Sequence, residues 1–96
     1  MLFHVTMEVQ LPASMPRDQA DALKAEEKAL AQRLQDEGSW RHLWRVAGRY
    51  ANVSIFDVPG NEELHALLLS LPLFPHMRIE VTPLCRHPSS VRAGDL

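Results

Sequence analysis

Along this chain the hydrophobic pattern changes period in a fixed order: alternating, helical, alternating, alternating, helical, alternating. From Leu2 to Leu11, Phe3, Val5, Met7, Val9 and Leu11 point one way and His4, Thr6, Glu8 and Gln10 the other, as in a half-buried strand. Pro12 ends that strand. Ser14 is a candidate N-cap, and Pro16 suits the first turn of a helix that runs to about Glu37, with Gly38 as its C-cap. Two β-rich runs follow, Trp40 to Ala47 and Tyr50 to Val58, joined at Gly48-Arg49 as a hairpin. After the Pro59-Gly60 turn, Asn61 is read as the cap of a second helix with a Leu64, Leu67, Leu68 and Leu71 stripe, which Pro72 stops. An apolar connection, Leu73 to Pro75, leads to a last strand in which Met77, Ile79 and Val81 alternate with Arg78, Glu80 and Thr82.

This succession is the ferredoxin-like α+β pattern, βαββαβ, with two helices on one face of a four-stranded antiparallel sheet. Residues 1–96 suffice for a single domain, with a tail from about 84 that lacks periodicity. A core this thin leaves one sheet face uncovered, so dimerisation through the sheet is expected. A formal net charge of −2 argues against a nucleic-acid or anionic-membrane partner. The arginines do cluster locally, at Arg41, Arg45 and Arg49, but form no polybasic tract. Cys85 is the one cysteine, so no intrachain disulfide forms and a reducing compartment fits. Met1 to Glu8 resembles neither a signal peptide nor a membrane span, and a cytoplasmic protein is expected.

The hairpin register decides which side chains meet the helices. With Gly48-Arg49 as a two-residue loop, Arg45 pairs with Asn52 and Leu43 with Ser54. One face then carries Trp40, His42, Trp44, Val46, Ala51, Val53 and Ile55; the other carries Arg41, Leu43, Arg45, Tyr50, Asn52, Ser54 and Phe56. The first is more apolar and is expected under the helices. A one-residue bulge would exchange the faces.

Glu27 interrupts the apolar stripe of Leu23, Leu30 and Leu34 on the first helix. Burying an unpaired carboxylate is costly, so Glu27 is either paired, with Lys24, Lys28 or a hairpin arginine, or has a raised pKa. A raised pKa suits a general base near neutral pH. The run Trp40-Arg41-His42-Leu43-Trp44-Arg45 offers flat apolar walls, carboxylate-binding guanidiniums and an imidazole, or equally a subunit contact. Tyr50, Asn52 and Ser54 share a strand face, where they either donate to an oxyanion or satisfy one another. The histidines lack zinc-ligand spacing, and there is no phosphate loop, Gly-x-Ser-x-Gly or Cys-His arrangement of known pattern. Cofactor-free acid–base chemistry, or none, remains.

The segments Met1-Leu2-Phe3-His4-Val5, Lys24-Ala25-Glu26-Glu27-Lys28, Trp40-Arg41-His42-Leu43-Trp44-Arg45, Tyr50-Ala51-Asn52, Leu71-Pro72-Leu73-Phe74-Pro75 and Leu84-Cys85-Arg86-His87-Pro88-Ser89-Ser90 closely resemble the muconolactone Δ-isomerase family. The resemblance runs from Met1 to about Val91. It implies a ferredoxin-like fold, sheet-to-sheet dimers assembled into a decamer, and a place in aromatic catabolism on the catechol branch of the β-ketoadipate pathway. It also implies a lactone substrate and no metal or organic cofactor. On that resemblance Glu27 is the proton-transferring base. His42, Tyr50 and Asn52 are candidates for the dienolate oxygen, and Arg41, Arg45, Arg86 and His87 for the substrate carboxylate. The tail is a candidate for completing a neighbouring subunit's site. A 5-chloromuconolactone dehalogenase is the near alternative. A non-catalytic dimeric module that binds a small acid is the alternative of another class.

Overall fold

The computed structural model describes residues 1–92 and Gly94. Ala93, Asp95 and Leu96, part of the end read as frayed from sequence, lie outside the described residues. Strand β1 (Leu2–Val9) is followed by helix α1 (Arg17–Asp36), strands β2 (Trp40–Arg45) and β3 (Ala51–Asp57), helix α2 (Asn61–Leu69) and strand β4 (Met77–Pro83). A single 3₁₀ turn, Phe74–His76, lies in the connection read from sequence as merely apolar. The four strands form one antiparallel sheet in the order β2-β3-β1-β4.

The alternation of β1 is realised fully: Phe3, Val5, Met7 and Val9 are buried while the residues between them are half-buried. These side chains meet Ala31 of α1 and Leu64 and Leu68 of α2, with Leu71, Trp40, Phe56 and Val58 completing the core. Leu30, Leu34 and Leu67 pack against it from the helices. Completely burying such aliphatic side chains stabilises by about 1.5–3 kcal/mol each, and this layer is what holds the helices on the sheet.

Helix ends differ from the sequence expectation in detail. Pro16, not Ser14, is the N-terminal boundary residue of α1, and no side chain caps it. Gly60 occupies that position before α2, so Asn61 is the first helical residue and not the cap. At the other end of α1, Gly38 stands where expected. Its φ of +89° places it in the left-handed region, and its N–H donates to the Gln35 carbonyl at 3.1 Å.

The hairpin keeps the expected pairings Arg45–Asn52 and Leu43–Ser54 but not the expected orientation. The register shifts between Trp40, which pairs with Phe56, and His42, which pairs with Ile55, leaving Arg41 as the extra residue. Ser54 and Phe56 pair with Val5 and Phe3 and so face the helices. The face carrying Leu43, Arg45, Tyr50, Asn52 and Ser54 therefore lies under them, and His42, Trp44, Val53 and Ile55 point out from the sheet. This corrects the face assignment made from apolar content. The bulge lets Trp40 join the core, 2% exposed and 4.8 Å from the Phe56 ring, while Trp44 stays 55% exposed.

Candidate active site

Glu27 sits in the middle of α1 and reaches the connection that follows α2. Its Oε1 accepts a hydrogen bond from the Leu73 N–H at 2.9 Å, and Leu73 itself is buried. Its Oε2 is buried and has no partner. Among the described residues Glu27 makes no ion pair, so the pairing with Lys24, Lys28 or a hairpin arginine does not occur. Burial raises the carboxyl pKa above its ordinary 4.5, against the lowering effect of the Leu73 N–H. One oxygen is thus anchored, and the other is an unengaged basic atom in a desolvated setting.

Tyr50, at the start of the hairpin's return, lies near enough for the two groups to sense each other. Its phenol is pushed up, first by burial and then by the Glu27 charge, while the Arg45 guanidinium opposes both. Both Lys24 and Arg45 lie against the Tyr50 ring, with Nζ 5.5 Å and Cζ 5.3 Å from its centroid. Beneath them is an open cavity of about 280 Å³ lined by Val9, Leu43, Arg45, Tyr50, Ala51 and Asn52. Ser54, wholly buried, donates its hydroxyl to Asn52 Oδ1 at 2.7 Å. This end of the hairpin therefore brings a carboxylate, a phenol, a carboxamide and two cations together on the helix side of the sheet.

The remaining candidates from the sequence gather elsewhere. Arg41, His42, Arg86 and His87 line a cavity of about 340 Å³ with Leu2, Ile55, Leu84 and Cys85. It lies on the outer face, where the tail passes over the hairpin. Arg41 pairs with Asp57 at 3.6 Å and donates to the Gly94 carbonyl at 3.3 Å. His42 stacks on Trp44 with ring centroids 5.1 Å apart and planes within 5°, and so does not face the core as the sequence register had it. His87 Nδ1 accepts the Ser89 N–H at 3.0 Å, which leaves Nε2 to carry the proton of a neutral ring. The sheet thus divides the residues predicted from sequence into an inner group with Glu27 and an outer group without it. Among the described residues, no three His, Cys, Asp or Glu side chains are grouped to hold a metal.

Two participants were missed from sequence. Lys24 was weighed only as a neutralising partner for Glu27, although its spacing put it one turn away on the same side. The Leu73 N–H carries no side-chain signal at all.

Glu27, held at one oxygen and near enough to Tyr50 to raise its pKa, stands beside a cavity wall of Tyr50, Arg45 and Asn52, a set of groups suited to acid–base chemistry on a small anionic molecule. Residues 1–90 match the family model described as Muconolactone delta-isomerase. A protein named Muconolactone Delta-isomerase from Pseudomonas aeruginosa is 65% identical over 99% of each chain. One of the same name from Acinetobacter baylyi is 61% identical over 99% of each, and one from Rhodococcus opacus is 48% identical over 95% of this chain and 98% of that protein. A crystal structure of muconolactone isomerase superposes with a TM-score of 0.94 at 64% identity, covering all of both chains. The chain belongs to the muconolactone Δ-isomerase family of isomerases.

Proposed function

We propose that this chain is a muconolactone Δ-isomerase, which shifts the ring double bond of muconolactone to give the 3-oxoadipate enol-lactone without a cofactor. The observation that carries the reading is Glu27: a raised-pKa carboxylate with Oε1 fixed and Oε2 unengaged. Oε2 takes the ring proton from the carbon bearing the carboxymethyl arm. That proton is acidified through the double bond by the lactone carbonyl. The electron pair moves into the ring and onto the carbonyl oxygen, giving a dienolate. The same carboxyl then returns its proton to the carbon next to the carbonyl, which restores the C=O and leaves the double bond moved. One group serves both transfers, so no net proton is exchanged with the site.

The dienolate oxygen needs donors aimed at it, and the Asn52 amide and Tyr50 hydroxyl supply them. The substrate's free carboxylate is drawn by Lys24 and Arg45, which share the Tyr50 ring at the cavity. The sheet order β2-β3-β1-β4 under two helices supports a ferredoxin-like reading. The uncovered outer face supports dimers built through the sheet and a larger homo-oligomer, a decamer by family resemblance. In that assembly Arg41, His42, Arg86 and His87 serve a neighbour's site, consistent with their place on the face away from their own Glu27. No helix among the described residues is long and apolar enough to cross a membrane. We place the enzyme in the cytoplasm, on the catechol branch of the β-ketoadipate pathway.

The test is an assay of the pure protein with muconolactone and with its 5-chloro analogue, with Glu27→Ala alongside. Isomerisation of the first lactone by the wild type only is expected. Chloride release without efficient isomerisation would overturn the reading in favour of a dehalogenase, and no turnover of either lactone would leave only a binding module.

A further inference from the structure

Ser54 lies on β3, the second strand of the hairpin, and among the described residues is the one polar residue classed as buried, fully shielded from solvent. Its cross-strand neighbours on the helix side are Val5 and Leu43, neither of which has a polar side-chain atom. An isolated hydroxyl among aliphatic groups is unfavourable unless its hydrogen finds an acceptor. The Asn52 Oδ1, two residues back on the same strand face, is that acceptor at 2.7 Å. The bond has a direction. Were the carboxamide turned over, its NH2 could donate to the hydroxyl oxygen, but the hydroxyl hydrogen would then be buried with no side-chain acceptor from Val5 or Leu43. The observed orientation is therefore the favoured one. It leaves the NH2 end outside this bond, on a residue that lines the cavity with Tyr50 and Arg45.

We infer that Ser54 is a positioning residue for the isomerisation: its hydroxyl holds Asn52 with the donor end, not the acceptor end, toward the developing dienolate oxygen. This rests on the reading of Asn52 as a dienolate donor given above. A carbonyl oxygen in that place would repel the oxyanion, so the gain lies in excluding the wrong rotamer. Preorganised donors are effective because they do not reorient as charge develops. Ser54 itself touches no substrate atom; it acts through Asn52.

The test is a double-mutant cycle in the full-length protein with muconolactone, reading kcat, KM and Tm for Ser54→Ala, Asn52→Ala and the double variant. Asn52→Ala is expected to lower kcat about 100-fold, as for loss of one oxyanion donor. Ser54→Ala is expected to lower kcat about tenfold, the worth of one hydrogen bond, with KM within about twofold. The double variant is expected to match Asn52→Ala alone, because Ser54 has nothing left to position. A tenfold further loss in the double variant would mark a purely structural serine and overturn the inference. So would wild-type kcat in Ser54→Ala beside a slow Asn52→Ala. Wild-type kcat in Asn52→Ala would remove the donor reading itself, whereas an inactive wild type would remove the isomerase reading. If Ser54→Ala does not fold, Ser54→Cys, which keeps the shape but only a weak donor, carries the same comparison.

Discussion

At the scale of single residues, Glu27 has two unequal oxygens, Oε1 bonded to the Leu73 N–H and Oε2 buried without a partner. If Oε2 is the base, Glu27→Gln keeps a carbonyl oxygen for the Leu73 N–H and loses only proton transfer. A fall in kcat of at least about 100-fold with retained folding is expected; near wild-type turnover would refute the assignment. Its raised pKa also fixes the sign of two pH effects. With Glu27 as the base the active form is the carboxylate, so kcat/KM in the wild type should climb with pH through a value above 4.5, the ordinary carboxyl value. Stability runs the other way. Between 4.5 and the raised value the folded state holds the proton more tightly than the unfolded chain, so stability contributed by this group is lost as pH rises through that window. The Tm of Glu27→Gln relative to wild type should therefore improve from pH 4 toward neutrality, and a constant difference would contradict the burial argument. Of this site, Glu27 was legible in the sequence because an acid in a leucine stripe stands out. Leu73 was not, since the group that matters there is a main-chain N–H that every residue but proline has.

Among the elements, β1, both helices and β4 were readable because one period runs through each, although in β4 Met77 and Ile79 are only half-buried and Val81 is exposed. The hairpin was readable in its pairing but not in its orientation. Its more apolar face lies outside the sheet, so apolar content alone pointed the wrong way. The bulge at Arg41 has no glycine to announce it, and its effect is to turn Trp40 inward while His42 and Trp44 turn outward. The end of α1 is a case where sequence and structure agree for a definite physical reason. Gly38 has φ +89°, and a Cβ there would meet nothing within 4 Å. The cost of Gly38→Ala is then one of backbone conformation alone, about 1 kcal/mol. Urea unfolding should show a lower midpoint with an unchanged m-value, while kcat stays near wild type.

On the scale of the whole molecule, the chain is extended for its size. Its radius of gyration is 14.6 Å, against about 12.5 Å for a compact domain of this length. Its accessible surface of 6494 Å² exceeds the roughly 5,600 Å² usual for a monomer of this mass. The exposed run from Val81 through the tail to Ser89 contributes to that surface, and Trp44 projects from the outer sheet face at 55% exposure. Trp44→Glu puts a charge on that face without touching the core, so its expected result is a smaller particle by light scattering and an unchanged far-UV spectrum. If the outer group of arginines and histidines serves a neighbour, activity should fall with the particle size. Truncation after Leu84 should raise KM or abolish turnover while dimers persist; full activity in the truncated chain would remove the tail from the site.

The hydrogen bond from Leu73 to Glu27 has a further consequence for how such a site varies. Its donor is part of the polypeptide itself, at the point where the chain leaves α2 for β4. Substitutions at position 73 other than proline can alter packing and still leave the donor in place, so Leu73→Ala would report the loss of a buried side chain and not the loss of this hydrogen bond. The aim of the Glu27 carboxylate is thereby set by the path of the main chain and not by a neighbouring side chain.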